Sequence, residues 1–243
     1  NKLPNTGALS IICGNNNYDM IVTMCKNISV NINIIKLDID NLNCSDYSTV
    51  LASHDFWNRI NGDKILLYQE DTCIFRSNID DFLEYDYIGA PWMKRQNDNT
   101  HLVGNGGFSL RSKQSMLDVI DKISLTNTVY NSTTLQYMDY AGLTIPPEDV
   151  YFSKNMIEFG IGKVADWETA KRFSVESVYY TAPFGGHNFH IAIHDWKGLL
   201  YRDVVIQIKS NCNLIKDLCD AACKGNYKYN YLNMIRNDSI LIT

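Results

Sequence analysis

Lys64-Ile-Leu-Leu-Tyr-Gln-Glu-Asp71 decides how this chain is read. Ile65, Leu66, Leu67 and Tyr68 form an unbroken apolar run, too short for a helix and of the length of a strand buried on both faces. The run passes directly into Gln69, Glu70 and Asp71. Upstream, Ala8-Leu-Ser-Ile-Ile-Cys13 ends in Gly14-Asn-Asn-Asn17, a strand followed by a turn, and Ile32-Asn-Ile-Ile-Lys-Leu37 is a further strand. Residues 18–27 have helical spacing, with Met20, Ile21, Met24 and Cys25 apolar; residues 48–60 predict one amphipathic helix through Val50, Leu51, Phe56 and Ile60. Strands alternating with helices predict an α/β fold with a Rossmann-like mixed sheet, mostly parallel, flanked by helices. In such sheets ligands bind beyond the carboxyl ends of the strands, which is where Asp71 falls.

Downstream the signals are shorter. Residues 80–85 predict a short helix and residues 87–92 an extended segment, followed by a polar loop at 93–100. Gly104-Asn-Gly-Gly107 predicts a turn leading into a strand at 108–111, and residues 112–123 a helix with Met116, Leu117 and Ile120 on one face. Residues 126–142 give no clear signal. Pro146-Pro-Glu-Asp149 predicts a rigid start to a helix through Val150, Phe152, Ser153, Met156 and Ile157. Pro183-Phe-Gly-Gly-His187 reads as a second Gly-rich turn, residues 189–193 as a half-buried strand, and residues from 199 onward as one or two helices. The expected organisation is a catalytic domain over 1–196 and a helical extension over 197–243.

Composition limits the function classes. With 27 Asp and Glu against 22 Lys and Arg, the formal net charge is −5, which argues against a general nucleic-acid or anionic-membrane binder. No run approaches the roughly 18 apolar residues of a membrane span. Seven Cys with no C-x-x-C pair argue against zinc ribbons and thioredoxin-type sites, and suit free thiols in a cytoplasmic or other reducing compartment. The first residues, Asn-Lys-Leu-Pro, lack Met and a signal-peptide pattern, which suggests a piece of a longer chain or a trimmed N-terminus. In an Asn-rich chain the sequons at Asn27, Asn43, Asn131 and Asn237 are expected by chance.

Four constellations can carry chemistry. The first is Gln69-Glu-Asp71: a carboxylate at a strand end holds a divalent cation that binds a diphosphate, or is an ordinary polar strand end. The second is Gly104-Asn-Gly-Gly107, where bare backbone lets a substrate approach, or where a hairpin turns. The third is Pro147-Glu-Asp149, a rigidly presented general base, a helix cap, or both. The fourth is His187 in its Gly-rich segment, with His190 and His194 beyond; alternating Phe189, Ile191 and Ile193 favour a strand over a zinc-binding helix. His54 and His101 have no assigned role. There is no G-x-G-x-x-G after the first strand, no Walker A motif and no G-x-S-x-G elbow.

In this order the four pieces resemble the common core of GT-A glycosyltransferases. More narrowly the chain resembles the DUF5672 family. The match is carried by Phe56-Trp57, Lys64 to Asp71, Asp81-Phe-Leu-Glu-Tyr-Asp-Tyr-Ile-Gly-Ala-Pro-Trp92, Gly104-Asn-Gly-Gly-Phe-Ser-Leu-Arg111, Pro147-Glu-Asp-Val-Tyr-Phe152 and Pro183-Phe-Gly-Gly-His187. The resemblance implies a GT-A-type fold and a metal-dependent transferase that moves a sugar from a nucleotide-sugar, UDP-linked by expectation, to a hydroxyl of a glycan or protein acceptor. By the same resemblance Asp71 and His187 ligate a divalent cation, Mn²⁺ or Mg²⁺. Asp149 is the base of an inverting displacement, and Glu148 binds acceptor or orients the loop. Asn105, Gly106 and Gly107 line the acceptor and donor-sugar side, with Trp92 stacking on a sugar or packing in the core. Gly14, Asn16 and Tyr18 approach the nucleoside, Arg59 and Lys64 the diphosphate, and Gln69 and Glu70 assist the donor. Gln69 stands where the family pattern has its first acidic residue, which predicts weak metal affinity without nucleotide. The rival expectations are a nucleotide-sugar hydrolase or nucleotidyltransferase, and a catalytically silent carbohydrate-binding or scaffold domain.

Overall fold

A computed structural model of the protein describes residues 3, 8–26, 32–69, 71–93 and 103–189. The first strand, β1 (Leu9–Cys13), is followed by a 3-10 turn at Asn15–Asn17 and by α1 (Tyr18–Cys25). The second, β2 (Ile32–Lys36), lies parallel to β1, with Leu9 opposite Ile32 and Cys13 opposite Lys36. Parallel neighbours need a crossover, and α1 lies within it.

The single helix expected over 48–60 is two: α2 (Cys44–Leu51) and α3 (His54–Arg59). The break has a local cause. The Ser53 hydroxyl accepts from Phe56 N–H and starts a new helix, so the apolar spacing continues while the axis does not. Asn43 caps α2 by accepting from Asp46 N–H, and Asn131 caps α5 (Ser132–Ala141) by accepting from Thr134 N–H. Two of the sequon asparagines thus have structural roles.

β3 (Lys64–Tyr68) has the predicted bounds, but its sheet is not the parallel one expected. β6 (Val103–Ser112) runs antiparallel to β3, pairing Lys64 with Ser112 and Tyr68 with Phe108, and antiparallel to β5 (Tyr87–Pro91), pairing Tyr87 with Arg111. β3 and β5 therefore run the same way with one reversed strand between them. A second small sheet orders β4 (Thr72–Ile74), β8 (Gly185–His187) and β7 (Ser174–Val175), the first pair antiparallel and the second parallel. Among the described residues, three of the five strand pairings are antiparallel. The error traces to the glycines. Residues 104–107 and 185–186 read as turns, yet both stretches are strand, and it is these two strands that reverse the pairing.

The remaining helices are α4 (Lys113–Lys122), α6 (Glu148–Phe159) and α7 (Trp167–Phe173). Helix α7 and strand β7 were not read from sequence, and the helix expected at 80–85 is a 3-10 turn at Ile79–Phe82. The alternating strand expected at 189–193 lies outside the described residues beyond Phe189. So do His101, His190, His194 and the whole 197–243 extension. Among the described residues no helix is long and apolar enough to cross a membrane.

Two apolar clusters sit on the two faces of the β3–β6–β5 sheet. One gathers Trp57, Tyr87, Met116, Val119, Tyr151, Phe152 and Met156 under the helices. The other gathers Phe82, Ile88, Phe108, Leu110, Phe173 and Phe184. Tyr87 and Ile88 go to opposite clusters, as successive strand residues must. Phe108 stacks on Phe173 with ring centroids 5.0 Å apart and on Phe184 at 5.6 Å. Phe108→Ala is expected to cost about 3–5 kcal/mol, because it removes a fully buried ring shared by three neighbours; the shift of the urea midpoint measures it.

Candidate active site

The end of β3 turns sharply. Thr72 N–H bonds Gln69 C=O at 3.1 Å, and Gln69 N–H bonds Gly107 C=O at 2.9 Å. The chain then enters β4, whose register with β8 sets Thr72 opposite His187. His187 therefore lies beside the β3 motif: its Nε2 is 3.3 Å from Asp71 Oδ1 and 3.1 Å from Gln69 Oε1. On the other edge of the ring, Nδ1 is 3.4 Å from Glu176 Oε1. Burial alone would push the imidazole pKa down, but the carboxylates of Asp71 and Glu176 outweigh it and raise the pKa to about 9.

The second half of the site is the start of α6. Its N-cap, Pro147, has no side chain to offer, and the Ser48 hydroxyl of α2 accepts from Glu148 N–H instead, at 3.2 Å. Ser45 in the same helix bonds Ile145 N–H at 3.3 Å. Glu148 is buried and paired with Arg111 through both oxygens, at 2.5 and 3.0 Å. Asp149, one residue on, keeps part of its side chain accessible. It accepts from Gly106 N–H at 3.1 Å and from Val150 N–H at 2.7 Å. Those bonds and Arg111 favour the charged form. Burial and the adjacent Glu148 charge oppose it more strongly, and the Asp149 pKa rises to about 7. The Tyr47 hydroxyl bonds Gln69; burial and then the Glu148 charge push its pKa up to about 12.

Gly106 and Gly107 join the halves. A Cβ on Gly106 would lie 2.4 Å from Glu148 Oε1 and 3.1 Å from Asp149 Cβ; a Cβ on Gly107 would lie 2.3 Å from His187 Cε1 and Nε2. The two carboxylates and the imidazole occupy the space that side chains on β6 would fill. Asn105 folds back within the strand, its Oδ1 accepting from Gly107 N–H at 3.2 Å.

Other expected site residues are placed elsewhere. Lys64 stands at the opposite end of β3 from Asp71, about 20 Å of extended chain away, with its ammonium on Asp86 Oδ1 at 2.8 Å and Tyr85 C=O at 2.7 Å. Arg59 pairs with Asp55 on its own helix at 2.8 Å. Lys64 begins β3 and Arg59 ends α3, so both stand away from the β3 end that carries Asp71, and each has a carboxylate of its own. Gly14, Asn16 and Tyr18 form the loop after β1, where Asn15 N–H bonds Ile39 C=O at 2.8 Å and Lys36 Nζ lies 5.0 Å from the Tyr18 ring centre. Trp92 follows β5, half-buried, and its C=O accepts from Trp167 Nε1 at 3.0 Å. Glu70 lies outside the described residues.

Sequence reasoning missed Arg111, Tyr47, Ser48 and Glu176. Arg111 had a usable signal, an arginine ending an apolar strand three residues after Phe108. Glu176, in Ser174-Val-Glu-Ser-Val178, had none.

The arrangement offers an ionisable carboxylate poised near neutrality beside a cluster of oxygen and imidazole donors. Among the described residues no three His, Cys, Asp and Glu side chains are grouped to hold a metal ion; at the β3 end Asp71 and the neutral Gln69 oxygen meet His187 Nε2. A protein-family model described as a protein of unknown function, DUF5672, matches residues 31–187. No curated protein matches the chain. The match spans well over half of the 243 residues, and the chain belongs to the DUF5672 family.

Two stability outcomes follow. Glu148→Ala strands a buried guanidinium and is expected to cost about 3–5 kcal/mol by chemical denaturation. Asp149→Asn is expected to stabilise. A carboxyl raised from 3.8 to about 7 favours the folded state less and less as pH climbs to 7. The gain from Asn should therefore grow between pH 4 and pH 7 and then level off, at roughly 1–3 kcal/mol, read from denaturation midpoints at each pH.

Proposed function

We propose that this member of DUF5672 is a metal-dependent glycosyltransferase with a GT-A-type fold, using a UDP-sugar donor and a glycan or protein hydroxyl as acceptor. The observation that carries the reading is the sharing of one glycine pair: Gly106 gives its side-chain space to Asp149 and Glu148, and Gly107 gives its own to His187. A base and a donor-side cluster are thereby held against adjacent positions of one strand. A displacement between two bound substrates needs its base and its donor-side groups held by one rigid element.

Asp149 takes the proton of the acceptor hydroxyl. The hydroxyl oxygen forms its bond to the anomeric carbon, and the bond from that carbon to the diphosphate oxygen breaks, leaving the electron pair on the nucleoside diphosphate. A pKa near 7 suits the task, since such a carboxylate is about half ionised at neutral pH and is a stronger base than an ordinary one. Arg111 and Glu148 hold the α6 start so that Asp149 meets Gly106. Tyr47 bonds Gln69, whose Oε1 is also 3.1 Å from His187 Nε2.

The residues at the β3 end fit a divalent cation on their chemistry. Asp71 and His187 Nε2 face each other, and the buried Nδ1 points at a carboxylate, the usual backing of a metal-binding imidazole. Bound there, the cation would offset the charge gathering on the leaving diphosphate. The neutral Gln69 adds no charge, so nucleotide phosphates are needed to complete the site.

Calorimetric titration with UDP, with GDP for comparison and with or without Mn²⁺, tests the donor. Mn²⁺-dependent UDP binding that Asp71→Ala and His187→Ala abolish is expected; no nucleotide binding under any condition overturns the assignment. For the base, Asp149→Asn is expected to lower turnover at least 10³-fold with UDP binding nearly unchanged. In the unsubstituted enzyme, kcat is expected to fall tenfold per pH unit below about 7, as Asp149 takes up a proton. A flat profile from pH 5 to 8 removes Asp149 from the role.

A further inference from the structure

We infer that Glu176 is a positioning residue that selects which nitrogen of His187 faces the cation, an inference resting on the reading of Asp71 and His187 as protein ligands. The placement comes from strand register. β7 and β8 are parallel, with Ser174 opposite Gly185 and Val175 opposite Gly186, so the next step sets Glu176 alongside His187. Its Oε1 lies 3.4 Å from Nδ1, an ion-pair distance that lacks hydrogen-bond geometry. Nδ1 has no water-accessible surface and no hydrogen-bond partner. The ring is confined on its other sides: β4 holds Thr72 opposite His187, and the ring fills the space that a Cβ on Gly107 would take, within 2.6 Å of Cε1, Nε2 and Cδ2.

Without a cation, Asp71 and Glu176 favour the imidazolium, protonated on both nitrogens; a cation is bound only by a nitrogen that has given up its proton, which leaves one N–H on a neutral ring. Two tautomers compete here. With the proton on Nε2, Asp71 and Gln69 accept it and the lone pair points uselessly into the interior at Nδ1. With the proton on Nδ1, the lone pair faces Asp71, but the buried N–H must find an acceptor. Glu176 is that acceptor, and a shift of a few tenths of an ångström makes the bond. The carboxylate also brings the count to two negative charges around one neutral ring, which a divalent cation cancels. Glu176 touches no reactant; it acts through His187.

The test uses the full 243-residue chain. Mn²⁺ is titrated calorimetrically in the presence of UDP, and the ¹⁵N-labelled histidine tautomers are read by NMR with Mg²⁺ in place of Mn²⁺. The unsubstituted protein is expected to show His187 protonated at Nδ1. Glu176→Ala is expected to weaken Mn²⁺ binding by about 10–100-fold and to move the proton to Nε2. Glu176→Gln, whose amide oxygen still accepts from Nδ1–H, is expected to recover most of the affinity, a rescue that a merely packing role would not produce. If Glu176→Ala fails to fold, Glu176→Leu fills the volume without an acceptor and takes its place. Mn²⁺ affinity within twofold of the unsubstituted protein, with the tautomer unmoved, overturns the inference and leaves the cation site standing. Absence of Mn²⁺ binding by the unsubstituted protein overturns the cation site and the inference together.

Discussion

Arg111 has no exposed surface, and its guanidinium meets Glu148 through two nitrogens while lying 4.8 Å from the centre of the Tyr87 ring and 5.7 Å from that of Phe152. Burying two charges costs several kcal/mol each, so the pair adds little net stability. What it supplies is geometry. Arg111 belongs to the middle strand of the sheet and Glu148 to the first turn of α6, so a bidentate bond fixes helix to strand in position and rotation. The Tyr87 hydroxyl extends the arrangement by donating to Gly104 C=O at 2.7 Å. Everything at the candidate site is referred to this joint.

Two consecutive acidic residues thus meet different environments. Successive helical residues point about 100° apart, so with Glu148 turned inward onto Arg111, Asp149 is turned along the strand toward Gly106. One carboxylate is neutralised by its partner. The other is buried and lies in the unfavourable field of its neighbour, which two peptide N–H groups and Arg111 offset only in part, and its proton affinity rises. The residue that organises the site raises the basicity of the residue that would use it.

Much of this was legible in the sequence, and the failures share a cause. Apolar runs marked β1, β2 and β3 to within a residue, because a short uninterrupted run has few alternatives. The Pro-Pro-Glu-Asp start of α6 was equally plain. Gly104 to Gly107 and Gly185-Gly186 misled, since glycine in sequence signals a turn, and only the folded chain shows that carboxylates, an imidazole and Phe108 need the room. With those strands unread, the α/β class was right but the parallel majority of the sheet was not. Asp71, Asp149 and His187 were identifiable by residue type and order. The ion pairs of Arg59 with Asp55 and of Lys64 with Asp86 were not foreseeable, because those partners look like any other surface acids in a linear string. Glu176 was invisible, because its place depends on the β7–β8 register alone.

The Ser48 hydroxyl that caps α6 stands 100 positions away from the peptide it caps, Gln69 and His187 are 118 apart, and Gly106 and Asp149 are 43 apart. No segment of the chain contains the site, and no hairpin or helix pair prefigures it. Contacts this distant in sequence form only after large loops have closed, a step that slows folding. A nascent chain that has not yet extended past His187 can hold most of the two apolar clusters and the Arg111, Glu148 and Asp149 contacts, but not the His187 cluster. Opening either the β4–β8 edge or the α2–α6 contact would dismantle the site before the core is exposed. Loss of function under stress should then precede loss of the fold.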